Sequence, residues 1–173
     1  MRESRIEFIR QQGFTLRDAD DRLYSALMLQ PRIIGALVVL GALLQSAGLF
    51  AATSAVLWWS ALAPALNPFD AVYNRFVARP RGFKPLPAAP APRRFAESMA
   101  ASAAFVIAAA ILGGFTIAAL VVEGLFVASA AAVVFRDFCG PASLFNALRP
   151  VVDQGLSPIG RSAGGTDAHD SNT

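Results

Sequence analysis

The sequence is poor in cysteine and in charge. Its single cysteine, Cys139, excludes an internal disulfide framework and any Cys-x-x-Cys metal or redox site. Residues 33–66 contain no Asp, Glu, Lys or Arg, and residues 95–135 contain only Glu97 and Glu123. Such long uncharged stretches, in a chain with 55% hydrophobic and 16% charged residues, exclude an ordinary water-soluble domain and place the chain in the membrane class.

Each uncharged stretch is long enough for two membrane crossings. About 20 apolar helical residues cross a bilayer core of about 30 Å, whereas one helix over residues 33–66 would run about 50 Å. Turns are predicted at residues 45–48 and at Gly113-Gly114, where paired glycines permit positive backbone angles. We therefore predict an all-α integral membrane protein with four transmembrane helices arranged as two hairpins. A re-entrant hairpin is the alternative for residues 33–66.

The basic residues predict the orientation of these hairpins. Of the 15 Lys and Arg residues, six lie in residues 1–32, six in residues 67–94 and three in residues 136–173, whereas both predicted turns are uncharged. Lys and Arg in short flanking segments favour the cytoplasmic side. Both termini and the connector are therefore expected in the cytoplasm, and the lipid bilayer, not nucleic acid, is the expected partner of the chain. Because the first apolar run follows 32 polar-rich residues, no cleavable signal peptide is expected.

Three segments follow from this division. Residues 1–30 are predicted to form a cytoplasmic amphipathic segment, with a surface helix from about residue 16 to residue 29 and Pro31 beginning the first span. Residues 31–150 are predicted to form the four-helix membrane domain. Residues 151–173, which include His169, are predicted to be a disordered cytoplasmic tail.

The cytoplasmic loop 67–94 is rich in proline and arginine. Five prolines between residues 80 and 92 favour an extended, semi-rigid connector. Its basic side chains are expected to contact lipid headgroups or to fix the topology. These residues are Arg75, Arg79, Arg81, Lys84, Arg93 and Arg94.

Small residues recur every four positions on the last predicted span. Gly124, Ala128 and Ala132 have the spacing that lets membrane helices approach closely. This pattern predicts a helix-packing face, and self-association or contact with another membrane protein through that face is one hypothesis. The high alanine content of the chain also produces such spacings without a contact.

Two residues are candidates for chemistry. Glu123 is an ionisable residue inside a span, where it is costly unless protonated, hydrated or hydrogen-bonded, and Thr116, Ser102 and Gln45 are the expected partners. Cys139 follows Arg136, whose guanidinium favours a thiolate, but it also follows the end of a helix, whose partial negative charge disfavours one. An inert buried thiol is the alternative to a reactive one.

Short motifs in the connector and after the last span resemble a known family. They are Asn67-Pro68-Phe69 with Tyr73 and Arg75, then Pro92-Arg93-Arg94-Phe95-Ala96-Glu97, and Phe138-Cys139-Gly140.

Over roughly residues 30–148, the chain resembles the bacterial membrane family catalogued as domain of unknown function 4395. The resemblance implies a four-span protein of the bacterial plasma membrane and no established activity. Relatives often carry a second cysteine three residues after the first, where this chain has Ala142. The missing thiol weakens a dithiol redox role or a paired metal role here.

The sequence therefore favours a non-catalytic membrane protein that acts by helix association, as a homo-oligomer or as an accessory subunit of a membrane complex. No catalytic residue pair, metal cluster, nucleotide loop or cofactor motif is legible in it. One alternative is a small ion- or proton-coupled transport protein that uses Glu123. Another is a membrane redox partner linked to thiol or sulfur chemistry through Cys139.

Overall fold

A computed structural model of the chain describes residues 2–15 and 19–155, with side chains up to residue 149. Within these ranges it consists of seven α-helices and contains no β-strand. The helices are α1 (Glu3–Gln11), α2 (Asp21–Leu44), α3 (Ala47–Leu62), α4 (Pro68–Tyr73), α5 (Ala91–Leu112), α6 (Thr116–Arg136) and α7 (Gly140–Gly155).

Three of these helices are long and apolar enough to cross a membrane, namely α2, α5 and α6. The fourth apolar helix, α3, has 16 residues, which corresponds to about 24 Å of helix against a bilayer core of about 30 Å. Burial within the chain differs among the three long helices. Only 11% of the most apolar window of α6 is buried, against 33% for α2 and for α5, so α6 is the outermost of the three.

Both predicted turns are present. Gln45 adopts a left-handed conformation with φ 46°, and the hydroxyl of Ser46 accepts the N–H of Leu49 to begin α3. The second turn uses Gly114, whose φ of 73° is unfavourable for residues with a side chain. The two apolar stretches are thus each divided into two helices, as the sequence predicted.

The beginning of α2 corrects the prediction for residues 1–30. Its N-cap is Asp20, whose carboxylate accepts the N–H of Leu23 at 2.7 Å, and the helix continues through Pro31 to Leu44. A separate surface helix ending near residue 29 is therefore wrong. Residues 16–18, with which the predicted surface helix begins, lie outside the described ranges.

The connector also differs from its prediction. Asn67 caps α4 by accepting the N–H groups of Phe69 and Asp70, and the chain continues through a π-helical turn and a 3₁₀ turn as far as Arg81. The longest part of the connector without regular structure is residues 83–90. Asn74 holds this extended part by accepting the N–H of Leu86 at 2.8 Å. The connector is therefore about half helical, because Asn67 caps a helix that begins before most of the prolines.

The four long apolar helices share one core. Buried residues from all four contact one another, and Val38, Ile107 and Phe50 are among the most deeply buried. Gly41 on α2 allows the ring of Phe50 to approach, since an added Cβ there would lie 3.1 Å from that ring. Ser54 on α3 is also buried here, and its hydroxyl donates to the carbonyl of Ala101 at 2.8 Å.

A second cluster covers one end of the bundle. Phe8 and Ile9 of α1 are buried against Leu27 and Met28 of α2 and against Cys139 at the start of α7. α7 was not predicted. Its backbone is helical to Gly155, five residues into the predicted tail, and residues 156–173 with His169 lie outside the described ranges.

Candidate functional site

The candidate site is a buried polar cluster at the end of the bundle that faces the connector. Its members come from three helices and one loop, since Gln30 lies on α2, Asn67 precedes α4, Asp70 lies on α4, and Arg93 and Glu97 lie on α5. All five are buried. Pro92 stands in the first turn of α5, where its missing N–H costs little, so α5 begins just before this arginine.

Arg93 is the centre of the cluster. Its Nη2 and Nη1 donate to the two carboxylate oxygens of Asp70 at 2.7 Å and 3.0 Å, the two-pronged geometry that a guanidinium favours. Nη2 also donates to Gln30 Oε1 at 2.6 Å, and Nε lies 3.3 Å from Glu97 Oε1. Every nitrogen of this guanidinium is therefore paired.

The cluster contains more acidic than basic side chains. One guanidinium faces two carboxyl groups, and Glu97 Oε1 also accepts from Asn67 Nδ2 at 3.2 Å. The other oxygen, Glu97 Oε2, has no hydrogen-bond partner within the described residues, although Glu97 is only 5% exposed. A buried carboxyl oxygen without a partner is costly, so Glu97 is the residue of this cluster whose hydrogen bonding is incomplete.

A cavity of about 130 Å³ adjoins the cluster between α2, α5, α6 and the start of α7. Its walls are mainly apolar, and its polar lining residues are Gln12, Gln30, Arg93, Glu97, Ser129 and Cys139. The structure thus places the residues Cys139 and Glu97 along one cavity, although the unpaired oxygen of Glu97 is itself buried.

Cys139 stands directly before α7, and its carbonyl accepts the N–H of Ser143 at 3.0 Å, the first bond of that helix. Its own N–H donates to Gln11 Oε1 of α1 at 3.0 Å. Burial raises the pKa of the Cys139 thiol, and hydrogen bonds from the backbone of Ala142 and from the side chain of Gln12 oppose that rise. Cys139 therefore follows the negative C-terminal end of α6 and also faces the positive N-terminal end of α7.

Glu123 lies near the other end of the bundle. It is buried, and its Oε2 accepts a hydrogen bond from Gln45 Nε2 at 2.9 Å. Gln45 is one of the three partners expected from the sequence. This bond joins the turn between α2 and α3 to α6, so both turns lie at the same end of the bundle. Its other oxygen, Oε1, is buried without a hydrogen-bond partner within the described residues.

Most of the remaining predicted residues lie on the surface. Gly124 and Ala128 are exposed on α6, Ala132 is half-buried, and an added Cβ at Gly124 would meet nothing within 4 Å. Most of the predicted basic residues of the connector are exposed, namely Arg75, Arg79, Arg81, Lys84 and Arg94. Arg93 is the exception, because its buried guanidinium is engaged by Asp70 and Glu97 and does not reach a lipid headgroup.

Sequence reasoning missed the polar cluster. Gln30 and Asp70 lie 63 and 23 positions from Arg93, and no local pattern relates them. One signal was present, since Arg93 and Glu97 are four residues apart on a helix and thus lie on the same face. Within the described ranges, no three His, Cys, Asp or Glu side chains lie close enough together to hold a metal ion.

Comparison with known proteins identifies a family. The family described as domain of unknown function 4395 matches residues 26–149, so the chain belongs to it. No curated protein and no solved structure matches the chain.

Proposed function

We propose that this member of the domain of unknown function 4395 family is a multi-pass membrane protein that acts by helix association. In this proposal α2 and α3 form one transmembrane hairpin, and α5 and α6 form the other. The connector 67–94 and both termini of the chain lie in the cytoplasm of a bacterium. The observation that carries the association is the exposed small-residue face of α6, which has open space at Gly124.

The two ends of the bundle support the orientation. The Gln45–Glu123 bond joins the first uncharged turn to α6 at one end, whereas Arg93 joins α2, α4 and α5 at the other. Exposed basic residues of the connector, such as Arg79 and Arg81, belong to that second end. Basic residues favour the cytoplasmic side of a membrane, so the connector end is the cytoplasmic one in this proposal.

α3 is short for a transmembrane helix. Its length of about 24 Å leaves a mismatch of several ångströms with the bilayer core, and such a mismatch costs only fractions of a kcal/mol per ångström. Its strongest packing partner is α5, which crosses fully in the proposal. A short span held by packing on a long neighbour is therefore tolerable.

The association face is self-complementary. Two copies of α6 related by a two-fold axis present the same small residues to each other, which allows the close backbone approach that drives association in lipid. We therefore propose a second copy of this chain as the occupant of the face around Gly124 and Ala128.

The native mass of the protein in mild detergent tests this proposal. Gly124→Leu and Ala128→Leu should weaken dimerisation by roughly tenfold, because a bulky side chain separates the two backbones. The matched control is Ala109→Leu, an exposed alanine on α5, which should leave the mass distribution unchanged. A natural chain that is monomeric and carries no second polypeptide would contradict association, and a co-purifying different polypeptide would favour the accessory-subunit role.

The transport alternative has weaker support. On α5, buried Ala101, Ala104 and Ile107 follow Glu97 towards the turn, so packed apolar residues separate the two buried carboxyl groups along the bundle. Glu123→Gln keeps the size of the side chain and an acceptor for Gln45. We expect this variant to fold and associate normally, whereas a proton flux in liposomes that disappears in it would favour transport.

A further inference from the structure

We propose that the helical part of the connector, residues 68–81, lies in the surface of the cytoplasmic leaflet and binds anionic phospholipid headgroups. We call this segment the connector helix; it consists of α4 and the two turns that follow it. Its exposed apolar side chains enter the boundary between headgroups and acyl chains, and its exposed arginines pair with the phosphates. The inference rests on the proposed membrane topology and is independent of association through α6.

The exposed side of the connector helix is both apolar and basic. Phe76 is 70% exposed and Val72 is 48% exposed. Arg75 and Arg79 are exposed on the same segment, whereas Tyr73 is buried on its other side. Large apolar side chains beside arginines are typical of helices that lie in a membrane surface, where the apolar groups leave water and the cations stay at the headgroups.

The charge of the connector helix is complementary to an anionic surface. The connector contains six basic residues and one acidic residue, Asp70, whose buried carboxylate is bound by Arg93. Arg75, Arg79 and Arg81 form no ion pair with another described residue. Basic residues next to a membrane are attracted by anionic lipids, so these three guanidinium groups are available to phosphates.

The buried polar cluster determines which side of the connector helix faces outwards. Arg93 donates to both carboxylate oxygens of Asp70. Further along, the side chain of Asn74 accepts the N–H of Leu86 and donates to its carbonyl. These contacts hold one side of the helix against the protein, so the apolar and basic side is presented to the surroundings.

The connector helix lies at the level where the apolar helices end. It follows α3, whose last turn exposes Trp59 and Leu62, and Leu66 after that helix is also exposed. Arg93, which binds Asp70, stands in the first turn of α5, just before the apolar run of that helix. If α3 and α5 cross the bilayer, as the proposed function holds, this level is that of the headgroups.

Quenching by brominated phosphatidylcholine in liposomes tests this position, because the bromine atoms on the acyl chains report contact with the apolar part of the bilayer. In a Cys139→Ser background, the dye NBD is attached to Val72→Cys, to Phe105→Cys in the middle of α5, or to Ala88→Cys in the extended part of the connector; all three positions are exposed. Quenching at Val72→Cys and at Phe105→Cys should exceed that at Ala88→Cys at least about threefold.

Spin-labelled lipids test the role of the arginines. The dye at Val72→Cys should be quenched at least about threefold more by spin-labelled phosphatidylglycerol than by spin-labelled phosphatidylcholine at low salt. Arg75→Gln combined with Arg79→Gln should reduce this preference below about 1.5-fold, since each arginine attracts the anionic headgroup. The matched control, Arg2→Gln with Arg136→Gln, removes the same charge from exposed positions before α1 and at the end of α6 and should keep the preference.

The outcomes separate this inference from the proposed topology. Quenching at Phe105→Cys without quenching at Val72→Cys would overturn the inference while α5 still crosses the bilayer, and the exposed side would then face water or a protein. Absence of quenching at both positions would overturn the topology and this inference with it. Equal quenching by the two spin-labelled lipids, or an equal loss of preference in the control pair, would contradict the pairing of these arginines with headgroups.

Discussion

Arg93 is the residue on which most of the buried polar contacts depend. It pairs with two carboxyl groups and one amide from three helices, and removing one partner of a buried ion pair typically costs about 3–5 kcal/mol, because the remaining charges stay buried. Arg93→Gln should therefore lower the stability of the detergent-solubilised chain by about that amount.

Thermal unfolding of the purified protein measures this effect. Arg81→Gln is the matched control, since it removes the same charge from an exposed position of the connector, and its effect should stay below about 1 kcal/mol. Equal destabilisation by the two variants would mean that net charge, and not the buried cluster, determines the loss.

Cys139 should be a slow nucleophile in the folded chain. Burial raises the pKa of its thiol, so the thiolate fraction near pH 8 is smaller than in the unfolded chain, whose ordinary value is about 8.5. Alkylation of the native chain at pH 8 should be at least roughly tenfold slower than in SDS. Rapid native alkylation would instead favour the redox alternative.

The same shift predicts a pH dependence of stability. The raised pKa of Cys139 means that the fold favours the neutral thiol, so its contribution is fully present below about pH 8.5 and is lost as the pH rises through the folded value. Stability should fall more steeply above pH 9 in the natural chain than in Cys139→Ser. At pH 7 the two should unfold at similar temperatures, since a serine hydroxyl also accepts the N–H of Ala142. Identical pH profiles would contradict this prediction.

At the scale of elements, the sequence predicted what depends on local pattern. The apolar runs and the glycines at residues 113 and 114 sufficed to place α5 and α6. The start of α2 was missed because Tyr24, Leu27 and Met28 are buried against α1 and α7. This contact forms only in the folded chain and is not visible in the local sequence. The cluster around Arg93 was missed for the same reason, since its partners are distant in sequence and adjacent only after folding.

α1 serves to close the end of the bundle over Cys139. Its side chains Phe8 and Ile9 are buried in the same cluster as the thiol, and Ser4 and Tyr24 both donate hydrogen bonds to Asp137 at the end of α6. The combined change Phe8→Ala with Ile9→Ala should detach α1, because each truncation removes about 2–5 kcal/mol of buried contact.

Alkylation of Cys139 reports this detachment. It should become at least about tenfold faster in the double variant, and the native mass should not change, since Gly124 and Ala128 are not in the cluster that contains Phe8 and Ile9. Ile6→Ala is the matched control because Ile6 is exposed, and it should alkylate at the natural rate. An unchanged rate in the double variant would show that α7 and the bundle alone cover the thiol.

At the scale of the whole molecule, the distribution of charge and the two ends of the bundle make one further prediction. Gly48 and Thr116 lie beside the uncharged turns, and Ala88 lies in the basic connector; all three are exposed. In a Cys139→Ser background, Gly48→Cys and Thr116→Cys should react with a membrane-impermeant maleimide added to intact cells. Ala88→Cys should react only after the membrane is permeabilised, because the proposed orientation puts the basic connector on the cytoplasmic side.

The pattern of labelling separates the alternatives for α3. If α3 and α2 formed a re-entrant hairpin, Gly48→Cys would stay protected while Thr116→Cys reacted, since only the second turn would then reach the outer surface. Labelling of Ala88→Cys alone in intact cells would show that the topology is the inverse of the proposed one. Labelling of both turns requires α3 to cross the bilayer despite its 16 residues, and its packing on the longer α5 makes that the outcome we expect.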